Sequence, residues 1–428
     1  MNNNSTLTLG EKIMYVRKAR GYSQENLGYA IKRNRPFVQR IENGQVECDV
    51  ELLAEIRKFL EIEDAPLLEH ELKLYRYHLE VWGDLIESKR LDEAKAMQSQ
   101  LSPILIMPFE ADLFLLYTMT ETLLLLEESN FAAAKEKLNA VEASIDDASI
   151  EVRHMFYRNK GYFYGRQGDF ENSLKHSLLA IDNTSNDFKP GYFVLTNIGI
   201  AYISMGKVHK GIVFLERAKL EYDGDRTHNR GIIIDSSLAA GYMQIGEEDV
   251  ARQLYEESLS LAKILNDEFR IAVISQNLAT LNQRQMNFNE ALTLLDQALK
   301  HHTSNSFGYA AALHNKAHCL FKMKAYDKCR EIIKQAEPLT EGDEELTIMF
   351  ESLGHLMTLS EKTSISYLED VAIPYFRACK NASKYKAIPL CNELEILYRK
   401  KKSKLKSLTM AAIAKDIYEE MYYGRGSL

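Results

Sequence analysis

The chain has 428 residues and a formal net charge of −8, with 46% hydrophobic and 27% charged residues. Only 8 prolines and 21 glycines interrupt it, and so few helix breakers among many Leu, Ala, Glu and Lys predict an all-α protein. The five cysteines (Cys48, Cys319, Cys329, Cys379 and Cys391) form no C-x-x-C pair, and their odd count argues against a secreted disulfide scaffold and fits a reduced, cytoplasmic protein.

The opening MNNNSTLTLGEK lacks the apolar core of an export signal. Apolar spacing then predicts four short helices. Leu9, Ile13 and Val16 share one face. Ser23 is placed to cap a second helix, with Leu27 and Ile31 at i, i+4. After a turn at Lys32 and Arg33, Asn34 is placed to cap a third. Pro36 falls in its first turn, where a missing N–H costs nothing, and Gly44 stops it. A fourth, VELLAEIRKFLEI, turns Leu52 or Leu53, Ile56 and Leu60 inward. Charge is uneven here: residues 12–40 carry Lys12, Arg17, Lys18, Arg20, Lys32, Arg33, Arg35 and Arg40 against Glu25 alone. That asymmetry fits an anionic partner, and equally a solvated helix surface.

Two short helices about a tight turn, the second basic at its start, make a helix-turn-helix design. The stretch LGEKIMYVRKARGYSQENLGYAIKRNRPFVQRIENG resembles the phage-repressor (Cro or XRE) family without a gap. The leading G-x-x-I is Gly10 and Ile13, the R-x-x-x-G-x-S-Q-x-x-L run is Arg17 to Leu27, and I-E-N-G is Ile41 to Gly44. One departure is Lys32, where the family often has Gly; a positive φ there would cost up to about 1 kcal/mol. The resemblance implies that Ser23 and Gln24 grip phosphate, and that Asn34, Arg35, Phe37, Gln39 and Arg40 lie on or near the groove-facing side. Arg35 and Gln39 then read bases, since Arg suits guanine and Gln suits adenine. Lys32, Arg33 and Arg40 hold phosphates. Phe37 is either a contact or a core residue.

The segment EIEDAPLLEH, with Pro66, divides the chain into a helix-turn-helix domain over 1–62, a linker over 63–72 and a second domain over 73–428. The greasiest stretch, LFLLYTMTETLLLLEE, is cut by Thr118, Thr120 and Glu121 and is too short and polar to span a bilayer, so no membrane role is expected. Beyond it the chain repeats. Gly161, Gly199, Ala239, Ala279 and Ala317 recur 38–40 residues apart in equivalent surroundings. Each lies in a helix followed by a turn, with Gly168, Gly206 or Gly246 in three of them. A second helix then carries small residues such as Ala180, Ala218, Ala251, Ala291, Ala298 and Ala336. This is the tetratricopeptide (TPR) pattern, with repeats nearer 40 than the usual 34 residues and hence longer helices. Weaker copies on either side bring the total to about nine helix pairs, which predicts a right-handed superhelical solenoid whose first helices line a concave face.

Asn159, Asn197, Ser237, Asn277 and Asn315 occupy one equivalent position. An amide offers both a donor and an acceptor, so such a ladder could grip the backbone of an extended peptide. Arg158, Gln276 and His314 lie one residue earlier, Tyr162 and His318 three later, and Arg166, Arg284 and Lys322 seven later; the cations could hold a peptide carboxylate. The alternative is that the asparagines serve contacts between repeats. His314 and His318 stand at a zinc-compatible spacing, but no third ligand is evident and no metal is expected. The run RKKKSKLK, residues 399–406, is either a solvated helix end or a phosphate or partner contact. No phosphate loop, dinucleotide fingerprint or nucleophile elbow occurs, so neither cofactor nor catalysis is expected.

A helix-turn-helix head fused to TPR-like repeats resembles the RNPP family of peptide-pheromone receptors, most closely its NprR-like, PlcR-like and arbitrium-receptor (AimR) members. The resemblance implies a cytoplasmic quorum-sensing transcription regulator, a homodimer or higher oligomer. Its groove would bind a short signalling oligopeptide and thereby alter binding to a double-stranded DNA operator. Three alternatives stay open: a Rap-like modulator of a phosphorelay protein, a TPR interaction scaffold with a DNA-binding head, and a DNA-binding regulator without a ligand.

Overall fold

The computed structural model describes residues 7–423, apart from 64, 66, 106–110, 185–190, 223–228, 305 and 380–381. Every regular element among the described residues is a helix. The first four are α1 (Leu9–Ala19), α2 (Gln24–Ala30), α3 (Arg35–Glu42) and α4 (Val50–Phe59). Each starts at a side-chain cap. Thr8, Ser23, Asn34 and Asp49 accept the backbone N–H of Glu11, Asn26, Phe37 and Leu52, so a donor that the helix cannot satisfy finds a partner. Ile13, Val16, Leu27, Ile31, Val38, Ile41, Leu53, Ile56 and Leu60 form their shared core, and Leu9 and Leu52 pack at its edge.

Two positions in this head depend on backbone geometry. A Cβ on Gly10 would stand 2.3 Å from the Ile41 carbonyl oxygen, so only glycine lets α1 approach the end of α3 so closely. Lys32 occupies the turn between α2 and α3 with φ of 52°, the left-handed conformation that favours glycine.

The chain forms two compact units, Met1–Gln167 with His176–Lys189, and Gly168–Lys175 with Pro190–Leu428. Residues 69–423 contribute nine successive helix pairs among the described residues. They are α5 (Glu69–Glu87) with α6 (Leu91–Leu105), α7 (Ala111–Glu127) with α8 (Phe131–Glu142), and α9 (Ile150–Arg166) with α10 (Phe170–Asp182). Next come α11 (Tyr192–Ser204) with α12 (Val208–Glu221), α13 (Asn229–Ile245) with α14 (Glu248–Ile264), and α15 (Glu268–Arg284) with α16 (Phe288–His301). The last are α17 (Phe307–Lys322) with α18 (Tyr326–Thr340), α19 (Glu344–Met357) with α20 (Lys362–Tyr367) and α21 (Ile373–Ala378), and α22 (Ala387–Lys400) with α23 (Lys404–Tyr423).

Eight of the nine turns inside pairs carry one left-handed residue: Lys89, Ser129, Gly168, Gly206, Gly246, Met286, Lys324 and Lys402, with φ from 56° to 88°. The three glycines expected there are present, and five larger residues adopt the same conformation. The exception is the α19 pair, whose second helix is broken by a π turn, Leu368–Ala372, just before Pro374. Proline cannot donate to the ladder, so Pro374 accounts for the change of register beside it. The small residues lie in the seams as expected: Ala239, Ala279, Ala317, Ala180, Ala218, Ala251, Ala291, Ala298 and Ala336 are all fully buried. A Cβ on Gly199 would meet the Leu215 side chain at 2.5 Å. The chain is thus all-α, with TPR-like repeats.

Candidate functional sites

The exposed side of the head is α3 and the turn before it. Lys32, Arg33, Asn34, Arg35, Gln39 and Arg40 are exposed there. Lys32, Arg33 and Arg40 make no ion pair among the described residues, and Arg35 stands 3.8 Å from Glu25 with both side chains largely in solvent. Gly28, Tyr29, Lys32, Arg33, Asn34 and Phe37 line a surface depression of about 580 Å³ at the start of α3. Phe37 is half-buried against the core and carries the Arg33 guanidinium 5.6 Å from its ring centroid. Asn34 uses its carboxamide oxygen as the α3 cap, 3.0 Å from the Phe37 nitrogen.

Several of these polar groups have partners within the head itself. Ser23 is engaged in its own helix: its hydroxyl accepts from the Asn26 nitrogen at 3.0 Å and donates to the Asn26 side chain at 2.7 Å. Gln24 donates to Glu42 at 2.8 Å, which ties α2 to α3. Two of the eight cations do not belong to the basic surface at all. Arg17 is buried, with Nε and Nη2 on the two Glu42 oxygens at 2.6 and 3.0 Å and Nη1 on the Tyr22 carbonyl at 2.6 Å. Lys12 is buried and donates to the Leu67 carbonyl at 3.4 Å. A charge count is blind to which helix face a residue occupies. The signal lay in the hallmark itself, since Arg17 opens the R-x-x-x-G run and Glu42 sits in I-E-N-G.

The polar ladder differs between the two units. In the first, Asn159 is wholly buried and its amide donates to the Met119 carbonyl on α7 at 2.7 Å. For Asn159 this is the alternative of a contact between repeats rather than a peptide grip, because α7 lies against it and presents a carbonyl acceptor. Arg158 bonds Asn159 at 3.3 Å and Glu87 at 3.1 Å. Tyr162 donates to Glu127 at 3.2 Å, and Arg166 reaches the Leu126 carbonyl at 3.1 Å and the Ser129 hydroxyl at 2.9 Å. The Glu127 side chain is fully buried and also receives Lys89. These residues stitch α5, α7 and α9 together.

In the second unit the equivalent side chains are more accessible. Asn197, Ser237, Asn277 and Asn315 are half-buried. The Asn197 amide nitrogen is buried without a hydrogen-bond partner among the described residues. Asn277 lies beside the Tyr255 phenol, and the Gln276 carboxamide oxygen stands 3.2 Å from His302 Nε2. The Asn315 backbone carbonyl accepts Gln283 at 2.9 Å, and its side chain bonds His314. Burial pushes His314 down to about 3 and His318 down to about 4, so both imidazoles are neutral at pH 7. Arg284 donates to the Met243 carbonyl near the end of α13 at 2.5 Å, and Lys322 pairs with Glu393. Those cations therefore satisfy helix ends and a neighbouring carboxylate. Among the described residues no three His, Cys, Asp or Glu side chains gather as metal ligands, and no helix is long and apolar enough to cross a membrane.

No family model matches the sequence, and no curated protein does. Solved structures match in fold. The apo form of the quorum sensor NprR from B. thuringiensis superposes with a TM-score of 0.63 at 16% identity, over 79% of this chain and 98% of that one. NprR in complex with its cognate peptide NprX gives 0.62 at 15% identity, over 83% and 99%. A Rap protein complexed with competence and sporulation factor gives 0.69 at 15% identity, over 82% and 100%. The chain therefore shares the all-α, TPR-like fold of the quorum sensor NprR and of Rap proteins.

Proposed function

We propose that this protein is a cytoplasmic quorum-sensing transcription regulator of the RNPP type, active as a homodimer or higher oligomer and without enzymatic activity. It reads a double-stranded DNA operator with α3, and a short oligopeptide bound by its repeats alters that reading. The observation that carries the proposal is the pairing, in one chain, of two parts. One is a capped helix–turn–helix whose exposed edge offers Arg35, Gln39 and Arg40. The other is a repeat fold like that of proteins solved with a cognate peptide. The head favours this reading over action on a phosphorelay protein, which needs no base-reading helix. Arg35 and Gln39 face bases, Lys32, Arg33 and Arg40 face phosphates, and Gln276, Asn277 and Asn315 face the peptide.

The test has two arms. Duplexes selected from a random pool by the full-length protein should lose about 1–3 kcal/mol of affinity on Arg35→Ala, with relaxed choice at one base pair. Equal affinity of variant and parent would reject α3 as the reader. Peptides captured by the full-length protein should bind Asn277→Ala more weakly by about 1–3 kcal/mol at unchanged melting temperature. Unchanged affinity there and in Asn315→Ala would move the site elsewhere.

A further inference from the structure

The segment predicted as a linker is not a free tether. Ile62, Ala65 and Leu67 are buried in the core of the head, and Leu68 packs against it; Pro66 lies outside the described residues. Its backbone is held as firmly as its side chains. Glu71, in the first turn of α5, receives three donors on one carboxylate oxygen: Arg57 Nη2 of α4 at 2.5 Å, the Leu67 nitrogen at 3.0 Å and the Leu68 nitrogen at 2.8 Å. Arg57 also donates to the Ala65 carbonyl at 3.2 Å, and Lys12 of α1 donates to the Leu67 carbonyl. One carboxylate thus caps the first repeat helix and pairs with the last helix of the head.

We propose that Glu71 is a positioning residue for DNA reading: through Arg57 it keys the head to α5, so the head turns with the first repeat helix. This rests on the DNA-reading proposal above. The Arg57 and Glu71 side chains are 16% and 21% exposed, so their attraction is screened less than that of a surface pair. Burial raises the Glu71 carboxyl, but the bonds from Arg57, Leu68 and Leu67 outweigh it and hold the group below its ordinary range, ionised at neutral pH. The functional consequence is geometric. Two heads on a palindrome must meet half-sites at a fixed separation. A keyed head takes its spacing from the repeats, whereas a tethered head samples many spacings at lower effective concentration in each.

The experiment measures affinity of the full-length protein for selected palindromic duplexes whose spacer is lengthened in steps to about half a helical turn. The parent should weaken roughly tenfold or more across the series. Glu71→Gln, which keeps an acceptor for the two N–H groups but loses the charge facing Arg57, should flatten the profile to within about threefold. Its affinity for a single half-site should stay within about twofold of the parent. Glu71→Ala should flatten the profile as well, and hydrogen exchange at the Leu67 and Leu68 amides should then accelerate while α4 stays protected. A Glu71→Gln variant that keeps the parent's steep profile overturns the proposal. Flattening accompanied by lost single-site affinity also overturns it, because Glu71 would then be a fold residue. A parent that binds no duplex rejects the DNA-reading proposal instead. The keying is then judged by exchange alone, with unchanged Leu67 and Leu68 protection in Glu71→Ala overturning it.

Discussion

Replacing Glu42 by Gln should unfold the head selectively. The side chains of Arg17 and Glu42 are 7% and 1% exposed, and the guanidinium meets both carboxylate oxygens, at 2.6 and 3.0 Å. Gln24 from α2 donates to the same carboxylate, so one acidic group joins three helices. Exposed ion pairs contribute about 0–1 kcal/mol, but removing one partner of a buried pair costs about 3–5 kcal/mol because the other charge is left without compensation. Glutamine conserves volume and turns an amide N–H₂ toward Arg17 or Gln24, so the loss should fall in that range. A head of this size has a small core, and whole domains have only about 5–15 kcal/mol in total. The variant should therefore show strongly accelerated exchange of α1–α3 amides in the full-length chain, with α11–α18 amides unaffected, and a parallel loss of duplex binding. The double variant Arg17→Met with Glu42→Leu removes both charges and should recover to within about 1–2 kcal/mol of the parent. A Glu42→Gln cost below about 1 kcal/mol, or a double variant worse than Glu42→Gln, would refute the reasoning.

The turns of the repeats and one buried histidine give two further predictions. Met286→Gly and Lys324→Gly should each raise stability by several tenths to about 1 kcal/mol, because both residues adopt the left-handed conformation at φ of 62° and 61°. Gly206→Ala should lower it by about as much, and calorimetry of the three variants decides whether the strain is real. His154 is buried with Nδ1 2.9 Å from the Ala180 carbonyl, and burial, with Arg158 nearby, pushes it down to about 4. Its folded value lies below the unfolded one near 6.5, so the unfolded chain takes up the proton first. Its contribution is complete above pH 6.5 and declines by about 1.4 kcal/mol per unit as pH falls toward 4. His314 and His318 act in the same direction. Urea unfolding at pH 7 and pH 5 should show the decline, and His154→Gln should make it shallower; a slope independent of His154 would contradict this.

Local chemistry was readable from the sequence wherever a residue type answers a backbone need. Ser23 and Asn34 cap their helices because short polar side chains reach an orphan N–H. Gly44, Gly168, Gly206 and Gly246 take positive φ, as does Lys32, where the departure from the repressor pattern signalled it. Repeat spacing located the helix pairs because small residues must recur where helices touch. What periodicity could not supply was which neighbours cover a face. Met286, Lys324, Lys89, Ser129 and Lys402 fill turns without glycine because the left-handed penalty is small beside the packing of two helices, so no breaker marks them. Arg17 and Lys12 looked like surface charge because burial follows tertiary packing, and EIEDAPLLEH looked like a linker although its Ala65 and Leu67 are buried.

Equivalence of position in a repeat is not equivalence of chemistry, and the asparagine ladder shows why. Asn159 spends its amide on the Met119 carbonyl and has no exposure, so truncating it leaves a buried acceptor unsatisfied. Asn315 accepts Gln283 through its backbone carbonyl, and its half-buried side chain bonds His314. The residue type recurs because an amide serves both tasks: it can satisfy the adjacent helix or a peptide backbone. What distinguishes these asparagines is which groups lie beside them: the Met119 carbonyl for Asn159, the Tyr255 phenol for Asn277 and the His314 ring for Asn315. Where Arg158, Tyr162, Arg166 and the buried Glu127 weld three first helices together, the amide is consumed by the fold. Around Asn277 and Asn315, Arg284 still ties α15 to α13 through the Met243 carbonyl, but the amides are half-buried, Asn277 beside the Tyr255 phenol and Asn315 beside the His314 ring. In the reading proposed above, a ligand that orders the ladder acts on the second unit, where these amides are half-buried.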